Sequence, residues 1–173
     1  MLLDIVTYPD ERLRTKCAPV ESVTPELRTL VDSMFETMYA APGVGLAAPQ
    51  VAQWIRLVVI DTASPEEEKK PKVLINPQLV CSGEQIRSKN EGCLSVPLGF
   101  RADVNRYSNV HLTYRDLDWN LIEEDLTDFP AIVVQHETDH LDGILFIDHI
   151  SRLRRSLYDS KVRKWLRVNK AHA

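Results

Sequence analysis

The chain has 173 residues, 44% hydrophobic and 27% charged, with a formal net charge of −4. That length predicts one domain, residues 1–173, with a sizeable core, and no apolar run approaches the roughly 20 residues needed to cross a bilayer. The N-terminus carries Asp4 and no basic stretch, which argues against a signal peptide, and the odd count of three cysteines points to a reducing compartment, the cytoplasm, with free thiols or a metal thiolate.

Residues 1–23 read as an irregular arm with Pro9 and Pro19. Thr24-Pro25-Glu26 opens a helix, with Thr as N-cap, Pro at the first position and an acid in the first turn. Leu27, Leu30, Val31, Met34 and Met38 follow the spacing of a core-facing stripe, so both methionines are expected to pack and not to bind metal. Pro42 and Gly43 end this helix. Gly43 to Gln50 then has little side-chain bulk and lets backbone approach closely, but without G-K-[ST] or a preceding strand it is no phosphate loop.

Residues 55–60 form a short β-branched run that predicts a buried strand. Val73 to Asn76 predicts a second strand, stopped by Pro77, and Gln78 to Lys89 a further strand with a turn at Ser82-Gly83. Asn90 to Pro97 is framed by Gly92 and Pro97 and presents one cysteine, Cys93. Val110 to Tyr114 and Asn120 to Leu126 alternate around turn chemistry and predict a hairpin with His111 on its polar face. Trp119 stands in that turn, with Asn120 as the expected left-handed residue.

Thr127 or Asp128 caps a helix over 131–141, with Pro130 in its first turn and Gly143 just past its end. Phe129, Ile132, Val133, His136 and His140 share one side of it. His136 and His140, four apart, bracket Glu137: the H-E-x-x-H pattern, in which two imidazoles hold a divalent metal and the carboxylate works on its water. Ser151 opens a last helix with Leu153, Leu157, Trp165 and Val168 as its docking stripe. From Ser151 onward eight Lys/Arg face one acid, Asp159, a charge of +7 that leaves −11 on the rest. Such an end marks either an acidic partner such as nucleic acid or a solvated helix face. His149 and His172 receive no role.

The metal motif needs a third ligand. The metzincin spacing would place a histidine at 146, which is Phe146, and no glutamate follows Glu137. Asp148 and Asp159 are poor substitutes. Cys93 is the thiol with a rigid frame, and two His with one Cys leave a fourth position open for catalysis. A structural site would draw a fourth ligand, Cys17 or Cys81. Three readings therefore stand: a hydrolase, a zinc endopeptidase, and a non-catalytic zinc domain that binds a partner through its basic tail.

Gly43-Val44-Gly45-Leu46-Ala47-Ala48-Pro49-Gln50, Glu91-Gly92-Cys93-Leu94-Ser95 and Gln135-His136-Glu137-Thr138-Asp139-His140 resemble, in order and spacing, the three signature motifs of peptide deformylases. The resemblance runs from the arm to the 144–148 stretch. It implies an α+β fold, with antiparallel strands around the metal-binding helix, an N-terminal helix and a basic C-terminal one. It also implies removal of the formyl group from N-terminal formylmethionine of nascent polypeptides. Cys93, His136 and His140 would hold one divalent metal, Fe²⁺ natively, with Zn²⁺, Ni²⁺ or Co²⁺ accepted. Glu137 would act as general base and then acid for a metal-bound water, with Gln50 and the Leu94 N–H meeting the oxyanion. Val44 and Gly45 would pair with substrate backbone, and Val44, Phe129, Ile132 and Val133 would line the methionine pocket. Asp139 would orient a ligand from behind. The basic helix would contact the ribosome; no membrane or specific DNA is implied. Pro97 to Arg101 is one residue longer than the family's usual segment, which leaves open whether Arg101 is its substrate-contacting arginine.

Overall fold

A computed structural model describes residues 1–171; His172 and Ala173, the end of the expected basic helix, lie outside the described residues. The architecture is α+β. Five strands, β1 (Gly45–Ala47), β2 (Leu57–Ile60), β3 (Lys72–Glu91), β4 (Ala102–Arg115) and β5 (Leu121–Thr127), form one sheet in chain order, each antiparallel to its neighbours. Three helices flank it: α1 (Pro25–Ala40), α2 (Asp128–Leu141) and α3 (Arg152–Ala171). No helix is long and apolar enough to cross a membrane among the described residues.

Helix α1 forms as its sequence dictates. The Thr24 side chain accepts from the Leu27 N–H at 3.1 Å, satisfying one orphan donor of the first turn. Leu27, Val31, Met34 and Met38 are buried against Leu46, Leu57, Val59 and Ile75, so both methionines pack as expected.

The sheet departs from expectation at its longest member. Pro77 does not stop a strand, and Ser82-Gly83 does not reverse the chain; β3 runs 20 residues without interruption. Its ladder with β4 slips by one residue at Ile75/Gln78, Ser82/Gln85 and Ser88/Glu91. Each slip holds one left-handed residue: Asn76 (φ 53°), Gly83 (φ 79°) and Asn90 (φ 60°). These are β-bulges, in which one extra residue bends the strand while pairing resumes beyond it. Pro77 lacks an N–H and so fits where the ladder is already broken. Asn76 is fixed by exchanging two 2.8 Å hydrogen bonds with the Val20 backbone. The third bulge delivers the chain from β3 to Cys93.

The β4–β5 hairpin forms, and His111 lies on its outer side, paired with Asp125 at 2.7 Å. The left-handed residue of its turn is Trp119 (φ 65°), not Asn120. The reason is local: Asp116 Oδ1 accepts from the N–H groups of both Asp118 and Asn120 at 2.9 Å, which leaves Trp119 to absorb the twist.

Helix α2 buries Ala131, Val134 and Leu141 against Val58, Leu74, Val110 and Leu112 of the sheet. It ends at Gly143 (φ 74°), where a Cβ would also lie 2.5 Å from the Arg14 carbonyl oxygen, so both conformation and space demand glycine.

Helix α3 docks on a face other than the expected one. Tyr158 and Val162 are buried with Phe100, Phe146 and Leu145. Leu153 (70% exposed), Leu157 (57%), Trp165 and Val168 face outward. The helix carries two apolar faces, and Tyr158 decides between them. Its ring stacks on Phe100 with centroids 4.2 Å apart while its hydroxyl donates to the Pro97 carbonyl at 2.9 Å. A buried tyrosine with a partner for its polar end outweighs exposed leucines.

Candidate metal centre

The bulged end of β3 and the middle of α2 meet at one point. The ligating atoms of Cys93, His136 and His140 all lie within 4.8 Å of one another. Cys93 starts a tight turn closed by Val96 N–H to Cys93 O (3.0 Å), and its Sγ is 3.3 Å from His140 Nε2. His136 and His140, one turn apart on α2, have ring centroids 5.2 Å apart. Cys17 sits in the core instead, its thiol pushed up to about 11 by burial, and no fourth residue of ligating type joins the cluster among the described residues.

Behind the cluster runs a buried charged network. His136 Nδ1 is 3.0 Å from Glu91 Oε1, which leaves Nε2 as its free nitrogen. Arg106 grips Glu91 through Nε (3.0 Å) and Nη2 (2.8 Å) and reaches Asp139 through Nη1 (2.8 Å). His149 Nε2 completes the row at 2.9 Å from Asp139. Burial would raise the pKa of Glu91, but the hydrogen bond from His136 and the Arg106 guanidinium outweigh it and hold it at about 2. Burial would likewise lower that of His136, yet Cys93, Glu91 and Glu137 raise it well above the ordinary value. His140 moves the other way: burial, then the charges of His136 and Arg106, keep it neutral, the form in which an imidazole binds metal.

Glu137 is buried beside the cluster, its Oε1 3.9 Å from His136 Nε2, and its Oε2 has no hydrogen-bond partner. Burial pushes its pKa up to about 7, against the lowering charges of His136 and Arg106; a cation among the ligands would draw it down again. It fits only because residue 45 is glycine, since a Cβ there would lie 2.7 Å from Glu137 Oε1. A cysteine sulfur, two imidazoles and an unpartnered buried carboxylate oxygen together fit a divalent cation and a small polar reactant.

Gln50 approaches from the other side. Its side-chain carbonyl accepts from the Ala47 N–H at 2.9 Å, which sets the direction of the amide. Nε2 then donates to Ser95 Oγ (3.0 Å) and reaches Cys93 Sγ (3.5 Å). Gln50, Cys93, His136 and Glu137 line a cleft of about 680 Å³. Val44, Gly45, Phe129, Ile132 and Val133 all line it, as do Leu94 and Arg101, while His140 lies beneath, buried. Val44 and Phe129, 42% and 49% exposed, are walls of the cleft and not core.

The family model for polypeptide deformylase matches residues 2–156. The chain belongs to the polypeptide deformylase family. It is 47% identical over 165 residues to a peptide deformylase of Rhodopseudomonas palustris (strain BisB5), covering 94% of each chain. It is 43% identical to one of Nitrobacter hamburgensis over 174 residues, covering 98% of this chain and 97% of the other. Among solved structures, the peptide deformylase of Legionella pneumophila superposes with a TM-score of 0.88 at 39% identity over 98% of both chains. That of Ehrlichia chaffeensis in complex with actinonin has a TM-score of 0.87 at 39% identity over 94% of this chain and 96% of the other.

Family membership makes the chain a deformylase-type enzyme and sets aside both the endopeptidase and the non-catalytic zinc domain. Within the deformylase fold, Glu91 and Arg106 are the residues that sequence reasoning passed over. Glu91 opens the second signature motif, where it was given no role. Arg106 had a signal: along β4 the inward positions are Ala102, Val104, Val110, Leu112 and Tyr114, and the alternation places an arginine among them. A cation on an apolar face is buried only when paired.

Proposed function

We propose that this enzyme is a metal-dependent hydrolase that removes the formyl group from N-terminal formylmethionine of nascent polypeptides in a bacterial-type cytoplasm. The observation that carries the reading is the cluster of Cys93, His136 and His140 beside a cleft that Glu137 and Gln50 also line. Cys93, His136 and His140 would hold the metal, natively Fe²⁺, with Zn²⁺, Ni²⁺ or Co²⁺ able to substitute. A divalent ion there supplies Lewis acidity, which acidifies water and polarises a carbonyl.

The chain's own residues do the rest. Glu137 takes a proton from the attacking water through its unpartnered oxygen and returns it to the departing α-amine, which leaves formate. The Gln50 amide, locked by Ala47, donates to the carbonyl oxygen as charge builds on it, and the Leu94 N–H, next to Cys93 in the chain, is the second donor. One such donor is typically worth about 3–4 kcal/mol of barrier. Gly45, at the start of β1, offers a strand edge to the peptide backbone because β1 pairs with β2 on one side only, and Val44 just before it would extend that edge. Phe129, Ile132 and Val133 offer the methionine side chain an apolar wall. Asp139 acts at a distance, through Arg106 and Glu91, on the tilt of His136.

Anaerobically purified protein loaded with Fe²⁺ or Ni²⁺ should release stoichiometric formate from formyl-Met-Ala-Ser. Absence of formate under both metals would remove the proposal.

The same reading places α3 against the ribosome. Its outward face combines Lys161, Lys164 and Arg167, all exposed, with the unburied Leu153 and Leu157. Replacing those three cations by alanine should weaken co-sedimentation with ribosomes and flatten its salt dependence, by about one unit of log–log slope for each phosphate no longer neutralised. Deleting the helix is a poorer test, because Tyr158 and Val162 belong to the core. Unchanged pelleting in the triple variant would exclude this surface.

A further inference from the structure

The cleft has two unlike sets of lining residues. Val44, Phe129 and Ile132 are apolar. The end of β3 and the loop after it bring Arg87, Lys89 and Arg101 to the lining, all three exposed. Arg87 is paired with Asp103 at 3.0 Å, and that carboxylate also accepts from the Asn90 N–H at 2.9 Å. Lys89 and Arg101 have no carboxylate within ion-pair distance among the described residues. Arg101 is nonetheless held in place. Its guanidinium carbon lies 3.0 Å from where a Cβ of Gly92 would sit, and Nη1 donates to the Asn90 carbonyl at 3.2 Å. The arginine is therefore folded across the end of β3, next to Cys93, and Gly92 makes room for it. Arg154 of α3 adds a further cation, its guanidinium 5.9 Å from the ring of Phe100, another lining residue.

The acids of the cleft cannot balance this charge. Its two lining carboxylates are Glu91 and Glu137; both are buried, and Glu91 is already spent on Arg106 and His136. The exposed formal charge of the lining is thus wholly positive, on a chain of net charge −4. A low-dielectric cleft lined by one sign of charge concentrates the opposite sign. The geometry suits an extended chain. At about 3.3 Å per residue, less what the bulge at Asn90 takes up, the stretch from Arg87 to Gly92 spans at most about 17 Å, enough to lie beside several residues of an extended peptide.

We infer that Arg87, Lys89 and Arg101 form a charge-selective subsite that favours acidic side chains in the residues following the formylated methionine. This inference rests on the substrate reading above and adds a preference to it. Lys89 and Arg101, neither paired with a carboxylate among the described residues, carry most of the selection. Arg87, shared with Asp103, contributes less.

The test uses three C-terminally amidated peptides, formyl-Met-Ala followed by Glu-Glu, Ala-Ala or Lys-Lys, with kcat/KM measured at low and at physiological salt. The deformylated products are titrated in parallel by calorimetry. The expected order is acidic, neutral, basic in both measurements, with about threefold per acidic residue, the scale of a solvent-screened ion pair. The spread should shrink with added salt. The double variant Lys89→Glu/Arg101→Glu should reverse the order. Equal values for the three peptides, or an order that the double variant leaves unchanged, would overturn the subsite. Formate from none of the peptides would count against the deformylation reading instead, and the product titrations would still decide the charge preference.

Discussion

Glu137→Gln is expected to lower formate release by about 10²–10⁴-fold, the usual contribution of a positioned general base. The substitution keeps the size of the side chain, which matters because Gly45 leaves no slack: a Cβ at that position would already lie 2.8 Å from both Cγ and Cδ of Glu137. It also changes few native interactions, since Oε2 has no partner to lose. The variant should therefore fold, and its metal content per chain should equal that of the parent. Those two readouts separate loss of the base from loss of the site. An amide cannot take a proton from water at neutral pH, so residual turnover reports what Gln50, Leu94 and the metal ligands achieve alone. A variant that keeps full metal and retains more than about a tenth of the parental rate would show that Glu137 does not carry the proton, because a base worth only tenfold falls below the range of such groups.

How much of this was legible beforehand depends on the range of the interactions involved. His136, Glu137 and His140 were readable because helical spacing alone puts both imidazoles on one face. The cap at Thr24 and the stop at Gly143 were readable because each depends on a few neighbouring residues. The long strand was not. Asn76-Pro77 and Ser82-Gly83 carry the chemistry of turns, and whether such residues reverse a chain or bulge it is set by the strand alongside. Here β4 continues past all three slips and forces the second outcome. The docking face of α3 was equally hidden. Leu153 and Leu157 look more apolar than Tyr158, and only the position of Phe100 and the Pro97 carbonyl makes the tyrosine the buried one. The cleft was partly visible: Phe129 and Ile132 share the helix side of the two histidines and Val44 stands in the low-bulk 43–50 segment, but the exposure of Val44 and Phe129, which makes them walls, required the tertiary structure. The third bulge, at Asn90, belongs to both accounts. It breaks the expected strand, and it aims Cys93 at α2.

Arg106→Leu should cost about 3–5 kcal/mol of stability, the range for removing one partner of a buried pair, which makes it the largest single loss expected outside the apolar core. The Arg106 side chain is 4% exposed and that of Glu91 8%, so the substitution strands a carboxylate with His136 as its remaining partner. For a chain of this length about 2–4 °C of Tm accompanies each kcal/mol, so thermal unfolding should fall by about 6–20 °C. Arg106→Lys should rescue little. The arginine uses three separate nitrogens to hold two carboxylates, Glu91 and Asp139, and a single ammonium cannot span both. Replacing the buried charge as well, in Arg106→Leu/Glu91→Gln, should recover part of the lost stability, since the penalty is chiefly that of an unpaired ion. It should not recover metal binding. Glu91 fixes the His136 ring through Nδ1, and loss of such an orienting partner typically weakens a metal site about 10–100-fold. Stability that returns while metal affinity stays low would assign the network two tasks, holding β3 to α2 and aiming His136. A fall in Tm below about 3 °C in the single variant would show instead that the network contributes little to the fold.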